Sequence, residues 1–520
     1  MAQRRRNGLV QGTAAQPSSI PAPVGGWNAR DSIANMAVTD AVTLENWFPN
    51  VSNVVLRGGY SEHATGLIGQ VETLLNYNSG SAEKIFAVVD TGKIYDVTAA
   101  GAVGPEEVSG LTNARWEYTN VTTAGGSYIY AVNGLDDALL YDGSIWTPIN
   151  SLSSPAITGV TTSTLDNVCL FKSRVWFIQK NTLKAWYLPT SSVGGAAQAL
   201  DMGPIATLGG HIVAVAAWTI DAGYGVDDNL VFMTSRGQVI LWRGTDPASA
   251  ATWAMVGVWS LGDPIGKRCI IKYGGDLLML TQDGLYLFAQ YLQSSRIQPQ
   301  VALSDKIQGA FASAANSYGS LFGWQIVVIP KYNAAFVNVP FSVGAQQQFV
   351  MNNITKAWCN FTGWHANCWE HYADNPYFGG NGFVGRAWDE SFADNDTDIA
   401  TNAIQAFNYF GSRGVQKYFT RARPSLFTNG TPAIFVGVNV DFDLSDTTSA
   451  LTFSANPTGR WDVGLWDQAL WGSSLVITNN WQGITGLGYC AGVHLKSASQ
   501  GLQIEWASTD VVYQNGWAGV

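Results

Sequence analysis

The chain has 520 residues and a formal net charge of −10, so it is too long for one ordinary core and carries no global nucleic-acid-binding signature. Charged residues make up 13%, against roughly 25% in average soluble chains, which predicts that much of the surface is covered by other protein. Five Cys in this length exclude a disulfide framework. No run of about 18 apolar residues is present to span a membrane. Met1-Ala2-Gln3-Arg4-Arg5-Arg6 lacks the apolar stretch of a secretory signal, so synthesis in a cytoplasm is expected.

The first 26 residues read as an extended arm. Arg4, Arg5 and Arg6 precede a Gly, Pro, Ser and Ala stretch ending in Pro21-Ala22-Pro23-Val24-Gly25-Gly26. Such composition builds no core and prefers open backbone. It is either a disordered tail or an arm that orders on a neighbouring subunit. Asp40 to Phe48 reads as a short helix capped by Asp40 and stopped by Pro49, with Leu44, Trp47 and Phe48 as its apolar face.

From Val54 onward one pattern repeats. Ile85 to Val89 meets the turn Asp90-Thr91-Gly92 and returns as Ile94 to Val97. Apolar runs joined by a short Gly-containing turn predict a β-hairpin. Tyr128 to Val132 turns at Asn133-Gly134, Val175 to Ile178 at Lys180-Asn181, Leu230 to Met233 at Arg236-Gly237 and Leu277 to Leu280 at Asp283-Gly284. Ile326 to Ile329 and Phe378 to Val384 are looser copies. Counted through Phe86, Tyr130, Phe177, Phe232, Met279, Val327 and Phe378, the steps are 44, 47, 55, 47, 48 and 51 residues. Hairpins at that period predict propeller blades, which must stack because one hairpin cannot bury its own apolar face. The expected fold is all-β: a β-propeller of six or seven blades, with the N-terminal arm and a C-terminal β-sandwich-like domain. A plain sandwich is the alternative. A strand near Val51–Leu56 is expected to complete the last blade around residues 370–390, since an open ring leaves an unpaired edge.

Ser304 to Ala315 predicts a helix capped by Ser304, with Ile307 and Phe311 on one face. After about residue 395 the period stops. Ile404 to Phe410, Val415 to Ala422, Ile434 to Phe442, Leu451 to Phe453, Tyr489 to Leu495, Leu502 to Trp506 and Val511 to Tyr513 read as strands, interrupted by a stretch with Trp461, Trp466, Trp471 and Trp481. The expected division is 1–50 for the arm and helix, 51–398 for the propeller and 399–520 for the second β-domain.

Several segments point to a family. Pro23-Val24-Gly25-Gly26-Trp27-Asn28-Ala29-Arg30-Asp31, then Leu44 to Pro49 and Leu56-Arg57-Gly58-Gly59-Tyr60, resemble the opening of tail nozzle proteins of short-tailed bacteriophages, relatives of the phage stabilisation proteins. Lys417 to Pro424, Val438 to Phe442 and the ending Gln503 to Tyr513 resemble that family's C-terminal strands. The resemblance brackets the chain around a divergent middle. It implies a structural, non-enzymatic virion protein at the distal end of the short tail. It further implies a homohexameric ring below the tail adaptor ring, with tail fibres or tailspikes as possible neighbours. Such a ring retains packaged double-stranded DNA and passes it during ejection without specific binding. An acidic lumen would suit that task, because each neutralised phosphate adds affinity. A carbohydrate-binding propeller and a glycan-cleaving tail enzyme are the alternative readings.

Chemical motifs are weak. Asp394-Asn395-Asp396-Thr397-Asp398 begins like a calcium loop, but Ile399 and Gln405 stand where that loop needs Gly and Glu. Cys359, His365, Cys368 and His371 could in type ligate zinc, at no standard spacing. Asp136-Asp137, Asp227-Asp228 and Asp389-Glu390 are sequence neighbours, which does not establish the separation that glycoside hydrolysis needs. No catalytic residue, metal or cofactor is assigned. The candidate subunit or adaptor interface consists of Arg4, Arg5, Arg6, Trp27, Arg413, Lys417, Arg421 and Arg423. The last four, all odd-numbered, would share one face of a strand.

Overall fold

The computed structural model describes residues 14–221, 226–293, 302–450 and 475–516. They fold into two compact units. Of the described residues, one unit holds those in 58–356 and 360–396; the other holds those up to 57, 357–359 and those from 397 onward.

The larger unit repeats one antiparallel sheet. The first sheet takes the second half of Gly59–Asn78 with Glu83–Val89 and Lys93–Asp96. Next come Glu117–Thr123, Gly126–Val132, Ala138–Tyr141 and Trp146–Ile149. The third is Leu165–Phe171, Arg174–Gln179, Lys184–Tyr187 and Gln198–Asp201. The fourth is Ile212–Asp221, Val226–Thr234, Gln238–Gly244 and Trp253–Ser260. Ile270–Tyr273, Asp276–Thr281 and Gly284–Leu287 make the fifth. Gln325–Ile329, Ala334–Ser342 and Ala345–Asn352 lead the sixth. The seventh is Cys368–Tyr372, Asn375–Gly379 and Asn381–Asp389. The first strands of successive sheets lie side by side in chain order, and that of the seventh returns to Gly59–Asn78. The ring is a seven-bladed β-propeller.

Closure follows from one long strand. Gly59–Asn78 pairs through its first half with Asn381–Asp389 and through its second half with Glu83–Val89. The earliest strand of the ring therefore finishes the last blade and begins the first, which removes both edges. The expected closing segment was one strand too early: Val54–Leu56 belongs to the other unit, where it pairs with Trp47–Pro49 and with Glu505 and Trp506.

Neighbouring sheets bury apolar faces against each other. Leu75, Phe86 and Val88 pack with Ile129, Leu139 and Tyr141 of the next sheet. Tyr130 and Val132 pack with Val175 and Phe177, and Trp176 and Ile178 with Phe232 and Ile240. The aromatic position of the repeat thus reaches from blade to blade, with Tyr130 and Phe177 ring centroids 5.2 Å apart. The repeat count slips once, because Val327 stands on the first strand of its sheet rather than the second. Hairpin turns carry the glycines for a steric reason. Gly92 has φ +77°, and a Cβ there would sit 2.1 Å from the Leu111 carbonyl oxygen. The predicted second helix is present as a 3₁₀ turn, Asp305–Ile307, followed by Gln308–Tyr318. Ser304 does not cap it; its Oγ accepts the Leu285 N–H at 3.0 Å.

The smaller unit contains two sheets. In one, Ile504–Asn515 is central, pairing with Gln16–Pro21, Val54–Leu56 and Lys417–Thr428. In the other, Ala491–Ser499 lies between Ile399–Gln405 and Ala433–Val440, and Asp40–Glu45 joins Ile399–Gln405. The described part of the arm is therefore a strand on its own chain's last strand. Leu502 to Tyr513, read as two strands, forms one. Asp40 to Phe48 is not a helix but two strands, Asp40–Glu45 and Trp47–Pro49, broken at Asn46 with φ +58°. Arg57 Nε donates to the Asn46 side chain at 2.8 Å, and Asn46 Nδ2 donates to the Ala400 carbonyl at 2.7 Å. Leu451 to Phe453, Trp461, Trp466 and Trp471 lie outside the described residues.

Candidate functional site

The predicted interface residues separate in the structure. Arg4, Arg5 and Arg6 lie outside the described residues. Trp27 is half-buried on a short strand beside Asp40–Glu45. Lys417 and Arg421 do not share a face. The register shifts between Phe419 and Arg421, and burial switches from odd to even positions across that bulge. Lys417 consequently points inward and is fully buried. Its Nζ donates to the carbonyls of Ser412, Val415 and Tyr489 at 2.6, 2.8 and 3.1 Å. It holds loops together and is not available to a partner.

Arg421 and Arg423 point the other way. Arg423 bonds Asp510 Oδ2 through Nη2 at 2.6 Å and lies 4.7 Å over the Trp481 ring. Exposed apolar side chains share this outer face: Tyr418 opposite Leu487, and Ile477, which pairs with the half-buried Phe427. Arg413, before the strand, donates to Asn35 at 3.1 Å and stacks on Tyr409. What survives is an apolar face with arginines on it.

The chemical motifs have structural duties. Asp136 accepts from Asn133 at 2.7 Å and from the Thr112 N–H, and Asp137 accepts from Asn150 at 2.9 Å and Thr162 at 3.1 Å. Asp389 accepts from Ser61 at 2.9 Å. Asn395, inside the calcium-like stretch, donates to Glu62 at 2.9 Å. Cys359 and Cys368 are buried, and burial pushes both thiols up, Cys368 to about 12. His371 Nε2 meets the Val328 carbonyl at 2.7 Å, and burial lowers its pKa. Among the described residues no three His, Cys, Asp or Glu side chains are grouped to hold a metal.

The propeller axis holds the densest chemistry, and none of it was singled out in the sequence. A cavity of about 420 Å³ is lined by the first strands of the sheets, including Glu117, Asn167, Lys267, Arg268, Gln325 and Glu370. Arg268 reaches across it. Its Nε donates to Glu117 at 3.2 Å, and Nη2 donates to Thr73 Oγ1 at 2.8 Å and the Trp116 carbonyl at 3.2 Å. Lys267 pairs with Asp166 of the third sheet. Arg115 pairs with Glu72 at 3.0 Å. A second cavity of about 280 Å³ shares Glu117, Lys267 and Arg268. There Phe322 receives Arg115 at 4.2 Å and Arg268 at 5.7 Å over its ring. Charges from the second, third and fifth sheets are thereby tied across the ring. Glu370 shares this cavity: burial raises its carboxyl to about 6, against the lowering effect of the His371 N–H, the Tyr118 hydroxyl and the Arg268 charge. The sequence signal available was the pair Lys267-Arg268 just before a predicted strand in a chain with few charges.

No protein-family model and no curated protein matches this sequence. Among solved structures, BBS1N in complex with ARL6DN is similar at 8% identity and TM-score 0.41, over 65% of this chain and 99% of that one. The Cps50 (Swd1) β-propeller domain of Myceliophteria thermophila is similar at 11% identity and TM-score 0.41, over 63% and 99%. YCF48 bound to D1 peptide is similar at 12% identity and TM-score 0.36, over 64% and 95%.

Proposed function

We propose that this chain is a non-enzymatic subunit of a phage tail nozzle, a ring at the distal end of a short tail that retains packaged DNA and lets it pass. The observation that carries the reading is where the family-like segments fall. Pro23 to Asp31, Leu44 to Pro49, Lys417 to Pro424, Val438 to Phe442 and Gln503 to Tyr513 come from opposite ends of the sequence and fall in one unit, while Leu56-Arg57-Gly58-Gly59-Tyr60 spans the boundary between the two units. Four of the strands involved meet through Ile504–Asn515 or its pairing partners.

The surface chemistry agrees with a built-in component. The outer face around Arg421 and Arg423 combines exposed apolar side chains with arginine, the composition that interfaces favour. This face is the proposed contact with a neighbouring subunit or the adaptor. The DNA path belongs to a lumen between copies, because the axis of each propeller is a cavity of about 420 Å³ crossed by Arg268. A net charge of −10 per chain lets a duplex slide instead of binding. The test is immunogold labelling of intact virions with antibody to this chain. Gold at the distal tail tip is expected. Unlabelled virions, with the protein confined to the soluble lysate, would remove the reading.

A further inference from the structure

We propose that the axial cavity of the propeller binds one neutral polyhydroxylated molecule, of the class of a monosaccharide, through the side-chain amide of Asn167. Asn167 lines the cavity and is only 6% exposed. Its amide makes no hydrogen bond among the described residues. The amide atoms keep some accessible surface, and the space beside them is the cavity. A buried amide without partners costs free energy, so native structures rarely keep one unless a ligand or water completes it. The Thr119 hydroxyl, on the same wall, also has no partner among the described residues. Neighbouring amides are already bonded. Asn120 Nδ2 donates to the Asn76 carbonyl at 2.9 Å, and Gln325 exchanges hydrogen bonds with the Trp369 backbone at 2.9 and 3.0 Å.

Backbone irregularities place these groups. The inner strands shift register just before Thr73, Asn167 and Ala214, and all three residues line the cavity. In the third sheet the extra residue is Asp166, which pairs with Lys267 while Asn167 meets the cavity. Bulges re-aim side chains in this way, often beside binding sites. The chemistry of the wall then selects the ligand. Two carboxylates, Glu117 and Glu370, line the cavity with two cations, Lys267 and Arg268. Arg268 Nε donates to Glu117 at 3.2 Å, and its charge acts on Glu370 as well. The wall is thus charge-balanced, and a charged ligand would enter without a counter-charge, at a desolvation cost. The Asn167 amide donates and accepts at once, as a sugar hydroxyl does. Val215, Ile271 and Ile326 add an apolar side that suits ring C–H groups. A volume of about 420 Å³ lies within the range, roughly 300–1,000 Å³, of small-molecule sites. The site does not rest on the nozzle reading.

The test is calorimetric titration of the full chain with glucose, galactose, rhamnose and N-acetylglucosamine, followed by the acid and amine forms of whichever sugar binds. At least one neutral sugar is expected to bind saturably at one site per chain. Its charged forms should bind about tenfold more weakly, because each adds a charge to a balanced wall. Asn167→Leu keeps nearly the same shape without polar atoms and should lower the affinity about tenfold, since two hydrogen bonds are lost. Thr119→Val, an isosteric change, should lower it about threefold for one lost bond. No saturable binding of any of the four sugars, tighter binding of a charged form, or unchanged affinity in both variants would overturn the site.

Discussion

Glu370 shows how one side chain couples the ring to pH. Its carboxyl is raised from the ordinary 4.5 to about 6, chiefly by burial. The folded state therefore holds its proton more tightly than the unfolded chain. The stabilising effect of protonation is full below the unfolded value and is lost as pH rises through about 6. Denaturant titrations of the native chain should show stability falling between pH 4.5 and 6. Glu370→Gln should flatten that fall and gain about 2 kcal/mol at pH 8. No gain, or a loss, would show that Arg268 and the hydrogen bonds offset the cost of burying the charged carboxylate. This residue was not legible in the sequence. Glu370 sits between Trp369 and His371, and nothing local says that Arg268, 102 positions earlier, lines the same cavity.

At the scale of single elements, the bulge near Thr420 decides which basic residues can meet a partner. A perfect strand would have put Lys417, Arg421 and Arg423 on one face; the extra residue reverses the parity between them. Lys417→Met should cost about 1–3 kcal/mol, because three buried carbonyls lose a charged donor. Arg421→Glu should change stability by less than about 0.5 kcal/mol while weakening ring or adaptor assembly, as read by particle yield and tail completeness. Normal assembly with Arg421→Glu would exclude this face as the contact. The hairpins were legible because their turns need residues such as Gly92 and Asn181, which take positive φ. The segment from Asp40 to Phe48 was not. Leu44, Trp47 and Phe48 have helical spacing, yet β-branched Val42 and Thr43 and the left-handed Asn46 suit two short strands, fixed by Arg57 and the Ala400 carbonyl.

For the whole molecule, closure outranks any single blade. Gly59–Asn78 serves two sheets, so the ends of the repeat array are joined through one strand. A fragment of residues 58–396 keeps that joint and should unfold cooperatively. A fragment of residues 71–380 keeps most blades but loses the joint, and should expose apolar strands and aggregate; equal solubility and equal cooperativity would show that closure is dispensable. The period near 47 residues revealed the propeller because each blade repeats the same burial demand. It left the blade number open, since the seventh sheet is completed by a strand some 310 residues away, which no local pattern records. A still greater separation, 487 to 497 residues, hid the arm's partner, the last described strand of its own chain.

In the proposed function this propeller is a subunit of a ring at the end of a phage tail. Cryo-electron microscopy of intact tail tips tests it most directly. Seven-bladed propellers are expected to repeat around the tail axis, with the DNA path running between copies and not through them, and with Arg421 and Arg423 in a contact between chains. A tail tip whose density accommodates no seven-bladed propeller would contradict it.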